Sequence, residues 1–168
     1  MASRRILQLG DPILREISAP VENWREAEGV LQDLSDTLAE FRRTHGFGRG
    51  ISAIQIGVPL RMIFLRVEGI VYEFVNPIFT WQSEETFELW DDCFSFPALM
   101  VRLRRHRAVG LRHQDGAGAW HEFTAEGDLA ELIQHEMDHL DGILAVDRAA
   151  SARDFATREE WLRQRALR

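Results

Sequence analysis

The sequence predicts an α+β fold in which antiparallel or mixed strands pack around a central helix, with further helices near the two ends of the chain. Three observations predict this class. Apolar residues recur at helical spacing over residues 22–43, short apolar runs fill the middle of the chain, and a second helical pattern covers Leu129–Leu140. A helix, then several strands, then helices differs from the alternating order of a parallel βαβ sheet. At 168 residues, we expect a single domain over residues 1–168.

Each element follows from a local pattern. The first helix carries its apolar stripe at Val30, Leu31, Leu34, Leu38 and Phe41, and the glycines of THGFGRG end it. Apolar runs between Gly, Pro and Asn residues predict strands over Arg61–Val67, Ile70–Val75, Ile78–Trp81, Val101–Arg112 and Trp120–Thr124. The second helix is expected to stop at Gly142. The charged, arginine-rich segment Ala152–Arg165 predicts a third, exposed helix.

Composition excludes several classes of function. The net charge of -7 argues against a general nucleic-acid binder, and no apolar run is long enough to suggest a membrane span or a signal peptide. The single cysteine, Cys93, cannot form an internal disulfide, so we expect a cytoplasmic protein. All 20 basic residues are arginine, which excludes Schiff-base chemistry on a lysine. Within an arginine cluster over residues 102–107, Arg102 and Arg104 have strand spacing and are interpreted as one solvated face rather than an RNA site.

The stretch IQHEMDHLDG, residues 133–142, has the pattern of a metal site. His135 and His139 are four residues apart, so on a helix both imidazoles lie on one face and can bind one ion. Glu136 lies about 100° around that helix from His135, where it can act as a general base for a water molecule without binding the ion. The competing interpretation is two surface histidines on a charged helix. The apolar neighbours Leu132 and Leu140 favour a buried helix instead.

A third protein ligand has two candidates. Glu159 lies twenty residues beyond His139, as a later-helix glutamate does in thermolysin-like proteases, but its surroundings have the pattern of a solvated face. Cys93, in WDDCFSFP, would complete a Cys/His/His set with one open position, which is typical of catalytic centres. A cysteine among aromatic residues is, taken alone, more often a small core residue. The residues alone leave both candidates open.

Three ordered segments resemble the three motifs of the peptide deformylase family. GRGISAIQ (Gly48–Gln55) resembles the family's GxGLAAxQ, DDCFS (Asp91–Ser95) resembles EGCLS, and QHEMDH (Gln134–His139) resembles QHExDH. The similarity covers roughly residues 5–150, and three motifs in order make a chance match improbable. The resemblance implies a peptide-deformylase-like domain that removes N-formyl groups from N-formylated peptides or related small molecules.

The resemblance also implies site residues and a cofactor. Cys93, His135 and His139 would hold one divalent ion, and Glu136 would transfer the proton from water to the leaving amine. Gln55 and the backbone NH of Phe94 would donate to the formyl oxygen. The family's ion is typically Fe²⁺, with Zn²⁺, Ni²⁺ or Co²⁺ as substitutes, whereas the ligand set alone suggests Zn²⁺ first. Arg105 and Asp138 are expected to form a buried ion pair that braces the helix.

Several positions depart from the family's pattern around the substrate side chain. The resemblance places Arg49, Gly50, Asp91, Asp128, Glu131 and Leu132 at the substrate. Gly50 would allow close approach of a substrate backbone. Charges at three of these positions, Arg49, Asp128 and Glu131, replace aliphatic groups of a methionine pocket. Either the charges pair with each other and narrow the pocket, or they bind a polar or charged group of a different formylated substrate.

The sequence supports three hypotheses of function. The first is a metal-dependent deformylase, including a specialised form that acts on a small formylated compound. The second is a catalytically degenerate relative that binds a partner, which retention of the whole catalytic set argues against. The third is a metalloendopeptidase with Glu159 as ligand. Partners are expected to be the formylated substrate, with no nucleic acid or membrane, in a monomer or homodimer.

Overall fold

The computed structural model describes residues 3–167 and has the predicted α+β architecture, with antiparallel sheets and three α-helices within that range. The helices are α1 (Trp24–His45), α2 (Gly127–Leu140) and α3 (Arg158–Ala166). The strands are β1 (Gly50–Ser52), β2 (Met62–Val67), β3 (Ile70–Gln82), β4 (Thr86–Asp92), β5 (Leu99–His106), β6 (Ala108–Gln114), β7 (Trp120–Glu126) and β8 (Phe155–Thr157). A five-stranded sheet has the order β1-β2-β3-β6-β7, and a three-stranded sheet has the order β4-β5-β8.

Helix α2 lies at the centre of the fold, as predicted. Every residue from Ala130 to Leu140 is buried, so this helix is enclosed on all its faces rather than on one stripe. Its apolar side packs against Ile63, Leu65 and Phe74 of the larger sheet. A buried helix can hold polar side chains only if they have partners, which places the histidines and acidic residues of α2 in a shielded environment.

Helix α1 covers the part of the larger sheet that leads into the candidate site. Asn23 caps its N-terminus through a hydrogen bond from the backbone NH of Arg25 at 3.2 Å, and Gly46, in the left-handed conformation, ends it. The predicted apolar stripe is buried against β1 and β2. The helix was predicted over residues 22–43 and lies two residues further along the chain.

The secondary-structure predictions need four corrections. Residues 70–82 form one continuous strand, because Asn76 takes up a φ of 51° in a bulge and binds Val21 and Gln114 through its side chain. Val101–Arg112 divides into two strands at Arg107, and β1, β4 and β8 had no predicted counterpart. The third helix begins at Arg158 rather than Ala152, because Phe155–Thr157 pairs with β5.

The end of α2 agrees with the sequence pattern. The helix stops at Leu140, and Gly142 follows with a φ of 71°. A Cβ at Gly142 would lie 2.5 Å from the backbone oxygen of Arg15, so glycine is required by both conformation and space. Among residues 3–167, no helix has the length and apolar character needed to cross a bilayer.

Candidate active site

Three donor atoms from two distant parts of the chain converge in the interior. The Sγ of Cys93 lies 3.2 Å from the Nε2 of His139, which in turn lies 3.2 Å from the Nε2 of His135. All three donor atoms are within 4.8 Å of one another, and all three residues are buried. Helix α2 supplies the histidines at i and i+4, and the turn after β4 brings in the cysteine.

The donor set fits a divalent cation. Two imidazole nitrogens and a sulfur that face one another across about 3 Å, with little water access, are the ligands that Zn²⁺ and other borderline-soft ions prefer. The alternative third ligand, Glu159, is exposed on α3 and is absent from this cluster. The structure therefore favours Cys93 and corrects the alternative that sequence reasoning left open.

A carboxylate orients the first histidine. Asp91 accepts a hydrogen bond from the Nδ1 of His135 at 2.9 Å, which leaves Nε2 directed at the other two donors. Arg105 contacts the same Asp91 carboxylate at 3.0 Å. Burial raises the pKa of Asp91, but His135 and Arg105 outweigh it and lower that pKa to about 2. Asp91 was predicted as a substrate-binding residue; it lines the cavity, and its side chain bonds to His135 and Arg105.

The two histidines differ in their electrostatic surroundings. Burial lowers the pKa of His135, but the Asp91 carboxylate outweighs it and raises that pKa well above the ordinary value. Burial and the positive charge of His135 lower the pKa of His139 well below the ordinary value. A cation at the donor atoms would replace the proton on His135, since metal ligation requires neutral imidazole.

Glu136 lies beside the donor cluster without joining it. The hydroxyl of Ser52 lies 2.5 Å from Glu136 Oε2 and donates to this carboxylate, which fixes its direction. Burial raises the pKa of Glu136 to about 7, against the opposing effects of His135 and Ser52. A carboxyl group that titrates near neutral pH can both accept and return a proton. Sequence reasoning missed the role of Ser52, and its only signal was a hydroxyl residue at a position where the family's GxGLAAxQ motif has alanine.

Gln55 directs its amide group toward the cysteine. Its side-chain oxygen accepts a hydrogen bond from the backbone NH of Ser52 at 3.0 Å, so its NH₂ group faces the site. That NH₂ lies 3.5 Å from Cys93 Sγ and 3.2 Å from Ser95 Oγ. Phe94 lines the same cavity, and within residues 3–167 its backbone NH donates no hydrogen bond. Both groups predicted to stabilise an oxyanion are therefore adjacent to the donor cluster.

One cavity of about 470 Å³ connects these groups. Its walls include Cys93, His135, Glu136, Gln55, Phe94, Arg49, Gly50, Glu131 and Leu132. Of the predicted substrate-binding residues, Asp128 is the exception, because it is exposed in the first turn of α2 and does not line the cavity. Two turns from His135, it lies about 10 Å along the helix, beyond the wall that Glu131 forms, so the predicted contact with substrate is corrected.

The predicted buried ion pair between Arg105 and Asp138 of α2 is present. Arg105 is 3% exposed and contacts Asp138 at 2.5 Å, in addition to Asp91. Asp138 also accepts hydrogen bonds from the half-exposed Arg148. The result is a chain of contacts from His135 through Asp91 and Arg105 to Asp138, which holds α2 against β5. The neighbouring Arg104 is exposed, as predicted for the solvated strand face.

Gly50 is required by close packing of protein side chains. A Cβ at this position would lie 2.7 Å from Glu136 Oε1, 2.7 Å from Leu65 Cδ2 and 3.1 Å from Leu132 Cδ1. Gly50 was predicted to admit a substrate backbone. Its nearest neighbours in the structure include the Glu136 carboxylate, so the absence of a side chain also leaves room for the catalytic candidate.

We expect Gly50→Ala to impair the site more than the fold. The added methyl group must displace the Glu136 carboxylate or the two leucines, at a cost of about 1–3 kcal/mol in the free energy of unfolding. A displacement of about 1 Å at Glu136 would lower kcat by up to roughly 100-fold. Gly29→Ala is the matched control, because nothing lies within 4 Å of its Cβ position on α1. Equal kcat values for wild type and Gly50→Ala would contradict the packing argument.

The fold and the site together define a class of protein. An α+β protein with a buried Cys/His/His donor set, an adjacent carboxyl group and an amide donor in one cavity has the features of a mononuclear metallohydrolase. A sequence profile described as polypeptide deformylase matches residues 3–155. The chain belongs to the peptide deformylase family.

Individual relatives agree with this assignment. The peptide deformylase of Bartonella tribocorum is 38% identical over 154 residues, covering 88% of this chain and 84% of that protein. Peptide deformylase 2 of Clostridium perfringens is 36% identical over 151 residues, covering 89% and 94%. Among solved structures, the peptide deformylase of Legionella pneumophila superposes with a TM-score of 0.83 at 32% identity, covering 99% of each chain. That of Thermotoga maritima superposes with a TM-score of 0.83 at 29% identity, covering 90% of this chain and 100% of the other.

Proposed function

We propose that this protein is a metal-dependent deformylase that hydrolyses the amide bond between a formyl group and the terminal nitrogen of a peptide. The observation that carries the proposal is the convergence of Cys93, His135 and His139 beside Glu136 and Gln55 in one cavity. Family membership supports the reaction type, because its relatives are named as peptide deformylases. The metalloendopeptidase alternative has no support, since its ligand Glu159 lies outside the donor cluster.

The metal would be held by Cys93, His135 and His139. When bound, a divalent ion supplies Lewis-acid activation of water and polarisation of the formyl carbonyl. The thiolate and imidazole donors suit Zn²⁺ or Fe²⁺, and Ni²⁺ and Co²⁺ are substitutes with similar ligand preferences. Asp91 keeps His135 in the tautomer that presents Nε2 to the ion.

Protein groups carry out the proton transfers and stabilise the developing negative charge. Glu136 takes a proton from the attacking water while the water oxygen bonds to the formyl carbon. The NH₂ of Gln55 and the backbone NH of Phe94 donate to the formyl oxygen as negative charge develops there. Glu136 then returns the proton to the peptide nitrogen as the carbon–nitrogen bond breaks. The immediate products are formic acid and a peptide with a free amino terminus. Formic acid then ionises to formate, and its proton is taken up by the amino terminus, so atoms and charge balance.

Formate release tests the proposal directly. Anaerobically purified protein loaded with Fe²⁺ or Zn²⁺ is expected to release formate from formyl-Met-Ala-Ser or formyl-Gln-Ala-Ser, and no acetate from the acetylated counterparts. Cys93→Ala is expected to bind the metal weakly and to release formate at a rate at least about 100-fold lower. Metal-loaded wild type that releases formate from neither peptide would overturn the proposal and favour a binding protein.

A further inference from the structure

The cavity beside the donor cluster contains an ion pair that the reaction does not use. Glu131 lies on α2 one turn before His135, and Arg49 lies immediately before β1. Arg49 donates a hydrogen bond to Glu131 Oε1, and both residues line the cavity. The Glu131 side chain is 6% exposed, whereas that of Arg49 is 42% exposed. The buried Glu131 carboxylate therefore forms part of the cavity wall, and the more exposed Arg49 side chain contacts it from the cavity entrance.

This pair differs from the two aspartate–arginine pairs at the cavity wall. Asp91 is held by Arg105 and Asp92 by Arg158, and neither arginine lines the cavity. The charges of the Asp91 and Asp92 carboxylates are therefore neutralised by arginines that lie outside the cavity. The partner of Glu131 lies within the cavity itself. Among the described residues, Arg49 is the one side-chain partner of Glu131, so the second carboxylate oxygen is free to accept a hydrogen bond from an occupant.

The position of the pair matches the first side chain of a formylated substrate. The formyl carbon must lie near the donor atoms and Glu136, so the residue that carries the formyl group is the next part of the substrate. Glu131 is one helical turn, about 5.4 Å, from His135 along the same face. That distance is comparable to the reach of a methionine or glutamine side chain. The side chain of the formylated residue would therefore contact Arg49 and Glu131.

We propose that the Arg49–Glu131 pair makes this site selective for formylated substrates whose first side chain carries a neutral hydrogen-bonding group, such as a carboxamide, over those with methionine. This proposal rests on the proposed deformylase function. A carboxamide NH₂ can donate to the second oxygen of Glu131 while its carbonyl accepts from the guanidinium of Arg49. A thioether displaces water from both charged groups and offers them no comparable partner, which is costly for buried polar groups.

The intact pair also disfavours charged side chains. A lysine or arginine that donated to the second oxygen of Glu131 would place its positive charge beside the guanidinium of Arg49, and a carboxylate would be repelled by Glu131 as it approached Arg49. A neutral group that both donates and accepts leaves the pair in place. Glutamine and methionine have similar lengths, so a comparison between them isolates hydrogen bonding from size.

The test compares three peptides on the metal-loaded protein: formyl-Gln-Ala-Ser, formyl-Met-Ala-Ser and formyl-Arg-Ala-Ser. We expect kcat/KM for the glutamine peptide to exceed the other two by about tenfold or more. Arg49→Leu/Glu131→Leu is expected to reverse the preference between glutamine and methionine. The exposed pair Arg107–Glu85 provides the matched control, because Arg107→Leu/Glu85→Leu removes equivalent charges outside the cavity and should leave the preference unchanged.

A binding measurement separates recognition from chemistry. Glu136→Gln keeps the shape of the site, and calorimetric titration with the intact formyl peptides should show the same order of affinities. If wild type hydrolyses the methionine or arginine peptide as well as the glutamine peptide, the selectivity proposal is wrong while the deformylase function stands. If Arg49→Leu/Glu131→Leu leaves the preference between glutamine and methionine unchanged, Arg49 and Glu131 do not determine it. Hydrolysis of none of the three peptides would refute the function itself.

Discussion

Replacement of Glu136 by alanine is expected to lower kcat/KM for the preferred formyl peptide by roughly 10²–10⁴-fold. The carboxyl group is buried beside the donor cluster, and its pKa of about 7 suits a group that accepts a proton and then returns it. Ser52 directs one of its oxygens, and the other carboxylates that line the cavity, Asp91, Asp92 and Glu131, are each paired with an arginine. The measurement is formate release under first-order conditions.

The controls for Glu136 separate chemistry from metal binding. Glu136 is not one of the three converging donors, so the metal content of Glu136→Ala should equal that of wild type. Glu136→Gln should be as inactive as alanine, because an amide keeps the shape but cannot accept the proton. Glu122→Ala removes a carboxyl group from the exposed side of β7 and should retain full activity. More than about a tenth of wild-type activity in Glu136→Ala would show that another group transfers the proton.

The histidines and the cysteine illustrate what local and non-local patterns reveal. The i, i+4 spacing of His135 and His139 predicts their shared face from helix geometry alone, and the structure shows it. The position of Cys93 next to them depends on how β4 packs against α2, which no short-range pattern encodes. Sequence reasoning reached Cys93 through the resemblance of three motifs, and the residues alone left Glu159 as an alternative.

Errors in the fold prediction have the same cause. Asn76-Pro77 was interpreted as a break between strands, because Asn and Pro disfavour strand interiors. In the structure, Asn76 remains in β3 because its side chain bonds to Val21 and Gln114, both distant in sequence. The segment Phe155–Thr157 was assigned to a helix from its charged surroundings, and pairing with β5 makes it a strand. Tertiary partners outweigh local propensity at both places.

The cavity residues show a third limit of prediction from sequence. Sequence reasoning grouped Arg49, Asp128 and Glu131 and left open whether they pair or bind substrate. The structure resolves the first half of that question, since Arg49 pairs with Glu131 and Asp128 lies in solvent. Asp91, which was also assigned to the substrate, lines the cavity and in addition orients His135, so its contact with substrate stays a prediction. Roles of this kind depend on which side chain lies closest after folding.

Substitution of Arg105 by leucine is expected to lower the free energy of unfolding by about 3–5 kcal/mol. Arg105 is buried and bridges Asp91 and Asp138, so its removal leaves two buried carboxylates without their shared cation. For a chain of this size, the loss corresponds to a fall in Tm of roughly 6–20 °C. Metal affinity should fall as well, because Asp91 would no longer be held in the direction that orients His135.

Arg148 provides the matched control for this prediction, because it contacts the same Asp138 but is half-exposed. Arg148→Leu should cost only about 0–1 kcal/mol, as exposed ion pairs contribute little. Arg105→Lys keeps the charge but cannot bridge both carboxylates with two separate nitrogens, so its stability should lie between those of wild type and Arg105→Leu. Thermal unfolding of the metal-free and metal-loaded forms gives both quantities. If Arg105→Leu and Arg148→Leu unfold at the same temperature, the buried bridge does not brace α2, and the positioning of His135 must come from the apolar packing around the helix instead.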